Sequence, residues 1–302
     1  MHRVRQSLRT YPLVNFIQFT YNLSKESKRK SKLDNNYQTY LNRVARMTLP
    51  EAYKSQVQHI QESFKFKPNS EGVRQASPFP GYTVITPPYE EDAANSAFYD
   101  ALIQYQQQLL ELPSHEGLIV PVPTNSLHFT LADLIWDSAY RDACESNPNF
   151  EEDLRSCFTE IFQSHDKLLY LGNSSIRWQM LGLLVMPRAI GVCLVPQNEV
   201  CYANIINLRR AIYQNPKLVG LGIEQHYHFT AHITLGYFGE IPSDFDREGL
   251  ALMFSNLNQQ WLPNSPEMIV TSAQLRKFDD MNRFYREPDW PTLDFDSQIV
   301  EF

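Results

Sequence analysis

Long apolar runs are missing from this 302-residue chain. The longest, such as "LGLLVM" and "VGLGI", fall far short of the ~20 residues needed to cross a bilayer. No membrane span is expected, and no apolar stretch near the start suggests a secretory signal. Cysteine is sparse: Cys144, Cys157, Cys193 and Cys201 form no CxxC pair and no zinc spacing. They read as reduced thiols of a cytoplasmic protein. Basic residues are in short supply after residue 33. Residues 1–33 hold eight Lys and Arg against one acid, a balance of +7, while the whole chain carries −7, which leaves −14 over residues 34–302. So acidic a globular part does not suit long nucleic acid, whose phosphates call for Lys and Arg. A small anion in a locally basic pocket stays open.

What is present is ordinary for a folded domain: 43% hydrophobic and 20% charged residues, enough to bury a core. Residues 1–35 resemble a transit peptide in composition and read as a poorly ordered basic extension. Residues 36–80 read as a helical and loop segment. Within it, 65–81 ("KFKPNSEGVRQASPFPG") is rich in Pro, Gly and Ser and is expected to be a surface loop. Residues 81–302 read as the main domain, in two lobes of roughly 81–165 and 166–302.

That domain repeats an order of elements. "YTVIT" is a short strand ended by Pro87 and Pro88. "EEDAANSAFYDALIQYQQQLLEL" follows as a helix with acids in its first turn and Phe98, Leu102, Tyr105 and Leu109 on one stripe. "GLIVPVP" and "LHFTLADLIW" are strands again. The second half gives "AIGVCLVP", then the amphipathic "NEVCYANIINLRRAIYQ", then "HYHFTAHITLGYFG". Each half places a His-x-Thr-Leu tetrad, "HFTL" at His128 and "HITL" at His232, at the end of a strand–helix–strand unit. A lone His-x-Thr is a weak signal. Its return in the same setting is much stronger.

Residues two apart on a strand share a face. His128 and Thr130 therefore project together, as do His232 and Thr234, while Phe129, Leu131, Ile233 and Leu235 turn to the core. Two such pairs across a cleft suit chemistry at phosphorus. One neutral imidazole takes a proton from water and the other, protonated, gives one to the departing oxygen. The hydroxyls hydrogen-bond the non-bridging oxygens as charge builds. This scheme needs no metal and no cofactor.

These tetrads resemble those of the two-histidine (2H) phosphoesterases, which carry H-x-[ST]-hydrophobic twice. The likeness spans roughly residues 80–302 and extends to a branch described only as a domain of unknown function. It implies an α+β fold of duplicated β-α-β units, bilobal and RNA ligase-like, with antiparallel sheets lining a central cleft. It also implies a cyclic phosphodiesterase with His128 and His232 as the acid/base pair and Thr130 and Thr234 as phosphate ligands. The substrate expected is a 2′,3′-cyclic nucleotide or an RNA-end cyclic phosphate. A monomer without membrane attachment is expected, and which histidine is acid and which is base stays open.

The second motif has a rival within it. "HYHFTAHITL" also contains His228 and Thr230, and on an unbulged strand His226, His228, Thr230, His232 and Thr234 would share a face. His232 is preferred because Leu235 follows its threonine as Leu131 follows the first. His228 and Tyr237 remain candidates to line the cleft. A His226, His228 and His232 metal site would need a bend, since four residues of extended strand span roughly 13 Å. A non-catalytic nucleotide-binding sensor or scaffold on the same fold is the main alternative function. "QLRKFDDMNRFYR", with Arg276, Lys277, Arg283 and Arg286 among Phe278, Phe284 and Tyr285, reads first as an edge hairpin and second as a phosphate- and base-binding surface. The acids from Asp133 to Asp153 read as solvated positions and a helix start. Trp136, Trp178 and Trp261 read as core anchors.

Overall fold

The computed structural model describes residues 36–111, 117–166, 175–262 and 266–295. The basic extension over 1–35 lies outside the described residues. The described chain begins with α1 (Tyr37–Met47) and α2 (Pro50–Gln56). Asn36 caps α1 by accepting the Thr39 N–H at 2.8 Å. Residues 65–81 contain a hairpin, not only a loop: β1 (Phe66–Pro68) pairs with β2 (Arg74–Ala76). Its turn rests on Gly72 at φ +81° and on the Asn69 side chain, which accepts from the Glu71 and Val73 N–H groups. Turn residues alone do not separate such a hairpin from open loop.

Next come β3 (Gly81–Ile85), α3 (Ser96–Leu110), β4 (Ile119–Pro121) and β5 (Thr130–Trp136). The helix starts later than its acids suggest. Glu90 and Glu91 sit in a single 3-10 turn, and the buried Asp92 accepts from the Asn95 amide at 2.7 Å before α3 begins. Two helices, α4 (Asp137–Ser146) and α5 (Phe150–Asp166), close the first half, with Glu151, Glu152 and Asp153 in the first turn of α5. There they face the positive end of the helix dipole.

The second half runs β6 (Ile176–Val185), β7 (Ala189–Pro196), α6 (Glu199–Tyr213), α7 (Pro216–Gly220) and β8 (His232–Phe238). It ends with α8 (Arg247–Trp261), β9 (Glu267–Val270), β10 (Ser272–Phe278), β11 (Phe284–Tyr285) and β12 (Thr292–Asp294). Residues 226–231 precede β8 without joining a strand, so the five-residue face expected from His226 to Thr234 does not form.

The fold is α+β with two five-stranded sheets, all pairs antiparallel. One sheet has the order β11–β10–β3–β5, with β12 also on β10; the other has β4–β8–β7–β6–β9. Strands cross between the halves of the chain. β4, from the first half, edges the second sheet, and β10 to β12, from the end, complete the first. Between the two motif strands lies an aromatic cluster. The Phe129 ring is 5.2 Å from Trp178 and 6.2 Å from Phe229, and Tyr40 stacks on Phe229 at 6.0 Å. All four rings are buried. Each burial is worth about 1.5–3 kcal/mol, and ring pairs add about 0.5–1.5 kcal/mol. Phe129 belongs to the first tetrad and Phe229 lies three residues ahead of His232, so this packing draws the two motifs together. Trp178 and Trp261 are core residues as expected; Trp136 is only half-buried.

β7 lies so close to β8 that a Cβ on Gly191 would stand 2.3 Å from the Ile233 carbonyl oxygen. Backbone cannot retreat there without parting the strands. Gly191→Ala is expected to cost about 1–3 kcal/mol and to lower the melting temperature by several degrees. A wild-type melt from that variant would show the strands to be free to separate.

Candidate functional site

His128 lies two residues ahead of the first residue of β5, and His232 is the first residue of β8. In both tetrads the burial alternates as the pattern demands. His128, Thr130, His232 and Thr234 are half-buried, and Phe129, Leu131, Ile233 and Leu235 are fully buried. The two imidazoles are held alike. His128 Nδ1 donates to the Ser126 carbonyl at 2.6 Å, and His232 Nδ1 donates to the Thr230 carbonyl at 2.7 Å. A carbonyl only accepts, so Nδ1 carries the proton in each ring. That leaves Nε2 as the nitrogen open to a reacting group. The two rings are within electrostatic reach, since charge on His232 disfavours charge on His128.

The registers reveal a feature that spacing alone does not. Thr130 pairs with Ile85 and Ala132 with Val84, so Leu131 has no partner. Thr234 pairs with Gly191 and Gly236 with Ile190, so Leu235 has none. The leucine of each tetrad is thus the extra residue of a β-bulge, a device that bends a strand and re-aims the side chains beside it. A bulge disturbs the hydrogen bonding of the residue it inserts, and a buried carbonyl left without a donor costs about 1–3 kcal/mol. Both leucine carbonyls receive a buried side-chain donor from a helix, and the Leu235 carbonyl also accepts the Val122 N–H just after β4 at 3.1 Å. Arg209 Nη1 of α6 donates to the Leu131 carbonyl at 2.5 Å, and Gln106 Nε2 of α3 donates to the Leu235 carbonyl at 2.7 Å. Arg209 also lies over the Phe229 ring at 4.4 Å.

Around His128 stand an aromatic ring and a charge. The Phe284 ring of β11 stands 4.2 Å from the imidazole. Arg276, 1% exposed, donates to the Phe284 carbonyl at 3.1 Å and forms a bidentate pair with Glu91. The hairpin expected over "QLRKFDDMNRFYR" is therefore present, and it reaches the first histidine. Burial pushes His128 down from 6.5 to about 4, against the lift from its Ser126 hydrogen bond; the Arg276 charge lowers it further. It is neutral near pH 7.

The other sequence candidates are placed differently. Thr230 has its hydroxyl occupied, accepting from Arg43 Nη1 at 2.7 Å. His228 is exposed, and His226 sets its ring edge-on to Trp136 at 6.0 Å. Among the described residues no three His, Cys, Asp or Glu gather where they could hold a metal ion. Tyr237, a candidate either to line the cleft or to pack in the core, is buried: its ring is 5.5 Å from Phe66 and its hydroxyl donates to the Met281 sulfur at 3.2 Å. Asp133 lies on β5, half-buried, and its carboxylate accepts from the Tyr227 hydroxyl. Gln106, Arg209 and Arg43 escaped the sequence reading. Gln106 follows Leu102 by four residues and Arg209 follows Ile205 by four, so each is a polar residue within an apolar stripe, which was the available signal.

Residues 65–146 match the family model 2H-phosphodiest, a domain of unknown function (DUF1868). The match contains the first tetrad and ends before the second. No curated protein matches. Among solved structures, a conserved protein of unknown function from Agrobacterium tumefaciens is similar with a TM-score of 0.51 at 17% identity, over 81% of this chain and 97% of that one. A Thermus thermophilus protein aligns at 16% identity and TM-score 0.38, and Escherichia coli LigT at 15% and 0.36, each over 72% of this chain and 98% of its own. LigT has also been solved with 3′-AMP. The family-model match bears out the resemblance to two-histidine phosphoesterases over the first tetrad, and the sheets and helices bear out the α+β class. Among the described residues, no helix is long and apolar enough to cross a membrane.

The depressed His128 has a consequence for stability. As pH falls, the unfolded chain takes up the proton near 6.5, whereas the folded chain resists until about 4. Stability should therefore be lost between those values and level off below them, by on the order of 3 kcal/mol from this group. His128→Gln should remove that part of the slope. Denaturant unfolding of both proteins from pH 7 to pH 4 checks it, and parallel curves would contradict the assignment.

Proposed function

We propose that the protein is a phosphoesterase that hydrolyses a cyclic phosphate, a 2′,3′-cyclic nucleotide or an RNA end, by acid/base catalysis through His128 and His232. One observation carries the reading: both imidazoles are tied through Nδ1 to the carbonyl two residues upstream, which leaves two Nε2 atoms to move protons. Binding alone requires no pair of proton carriers.

The roles divide by environment. His128, neutral near pH 7, accepts a proton from water at Nε2 as the water oxygen attacks phosphorus. His232, in its protonated form, donates from Nε2 to the ribose oxygen as the P–O bond breaks. One ester bond is exchanged for one P–OH, and the two histidines end with their protonation states swapped. Solvent resets them. Thr130 and Thr234 sit one strand repeat from the histidines, on the same faces, and donate to the non-bridging oxygens. Their contribution grows as charge accumulates in the transition state. Bound phosphate brings negative charge against His128 and strengthens it as a base. Phe284, beside the His128 ring, offers a face for the nucleobase. The globular part's net charge of −14 favours a short substrate over long nucleic acid.

Hydrolysis of 2′,3′-cyclic AMP and of a cyclic-phosphate-ended RNA oligomer by the purified chain tests the reading. His128→Ala and His232→Ala should each remove nearly all turnover while the melting temperature stays near that of wild type. Thr130→Val and Thr234→Val should each cost about 2–4 kcal/mol of transition-state stabilisation. The acid limb of kcat/KM should fall near pH 4, not near 6.5. Full activity in His128→Ala would overturn the proposal. Tight nucleotide binding with no turnover would point to a sensor built on the same cleft.

A further inference from the structure

The second histidine is supported from outside its own lobe. Tyr40 and Arg43 stand three residues apart on α1, hence on one face, and together they hold three consecutive residues leading to His232. Arg43 Nη2 donates to the Phe229 carbonyl and Nη1 to the Thr230 hydroxyl at 2.7 Å. The Tyr40 hydroxyl accepts the Ala231 N–H at 3.3 Å and donates to the Leu194 carbonyl at 2.9 Å. Leu194 N–H still reaches the Ala231 carbonyl at 2.9 Å. The other bond of that antiparallel pair is replaced by the inserted phenol oxygen, which opens the ladder one residue before the imidazole.

The Thr230 carbonyl is the group that fixes His232 Nδ1. A chain of contacts thus runs from the Arg43 guanidinium through the clamped 229–231 backbone to the ring. Among the described residues no carboxylate pairs with Arg43; its charge meets these neutral acceptors, where charge-assisted bonds are short and strong, together with the Met47 sulfur at 3.8 Å and the Tyr40 ring at 5.6 Å. Among the described residues the first histidine has no equivalent. Ser126 is held within its own turn by Pro123, and Phe129 exchanges bonds with the adjacent Thr86. Helix α1 also lies outside the span matched by the family model.

We propose that Arg43, seconded by Tyr40, is a positioning residue for His232, so that the N-terminal helix is part of the site. Arg43 orients the Thr230 carbonyl, and that carbonyl holds the imidazole with Nε2 aimed at the leaving oxygen. The proposal rests on the reading of His232 as a proton carrier, and its test separates the two.

Two readouts on the full chain serve: 2′,3′-cyclic AMP kinetics and ¹⁵N spectra of the imidazoles. Arg43→Met should lower kcat about tenfold or more, as loss of an orienting outer partner does, with KM within about twofold. The His232 nitrogens should pass from one tautomer to a mixture while those of His128 stay put. Arg43→Lys should recover part of kcat. Thr230→Val should mimic Arg43→Met, and the double variant should add little to either single one. Wild-type kcat and unchanged His232 nitrogens in Arg43→Met would overturn the proposal. So would an equal disturbance of both histidines. If Arg43→Met does not fold, Thr230→Val, which leaves every charge in place, decides by the same criteria. If the wild type turns over no cyclic phosphate, the functional reading falls, and the His232 nitrogens still decide the role of Arg43.

Discussion

An imidazole moves a proton usefully through one nitrogen only if the other is held. In this chain the same device holds both: a ring Nδ1–H donated to the carbonyl two residues upstream. The device is local, since the acceptor belongs to the same short segment as the ring. Its accuracy, however, depends on how firmly that segment is fixed. Most of what surrounds the two tetrads can be understood as the means of fixing it.

The bulges are the first of these means. A regular ladder would spread the tetrad's side chains evenly along a flat strand. An extra residue at Leu131 and at Leu235 instead turns the strand just beyond each threonine. The carbonyl of each inserted leucine is buried, and the fold supplies it with a long polar side-chain donor from the helix of the other strand–helix–strand unit. Arg209 and Gln106 differ in charge and origin but fill one need. The aromatic cluster beneath, from Phe129 to Phe229, then fixes the separation of the two segments through shape.

Much of this was legible in the sequence. Periodicity marked α3, α6, β3 and β7, and the repeated tetrads marked the candidate site, because strand alternation and turn-forming prolines act over a few residues. What stayed hidden depends on pairing between distant segments. The bulges leave no trace in composition, since Leu131 and Leu235 look like regular core residues. Thr230 reads as a second motif threonine until Arg43, 187 residues away, takes its hydroxyl. The 65–81 hairpin was missed because its turn residues are also those of an open loop. Gln106 and Arg209 were visible as polar residues inside apolar stripes, a pattern that marks a buried partner without naming it.

The exchange of strands between the sheets bears on how the molecule moves. With β4 stitched into one sheet and β10 to β12 into the other, neither half can swing away from its neighbour without tearing backbone hydrogen bonds in both. A hinge between rigid bodies, the usual way for two-part proteins to wrap a guest, is thereby denied to this architecture. Accommodation must come from rotamers and loop ends at the rim. The interlaced topology also ties assembly of each sheet to contacts between remote parts of the polypeptide, which slows folding.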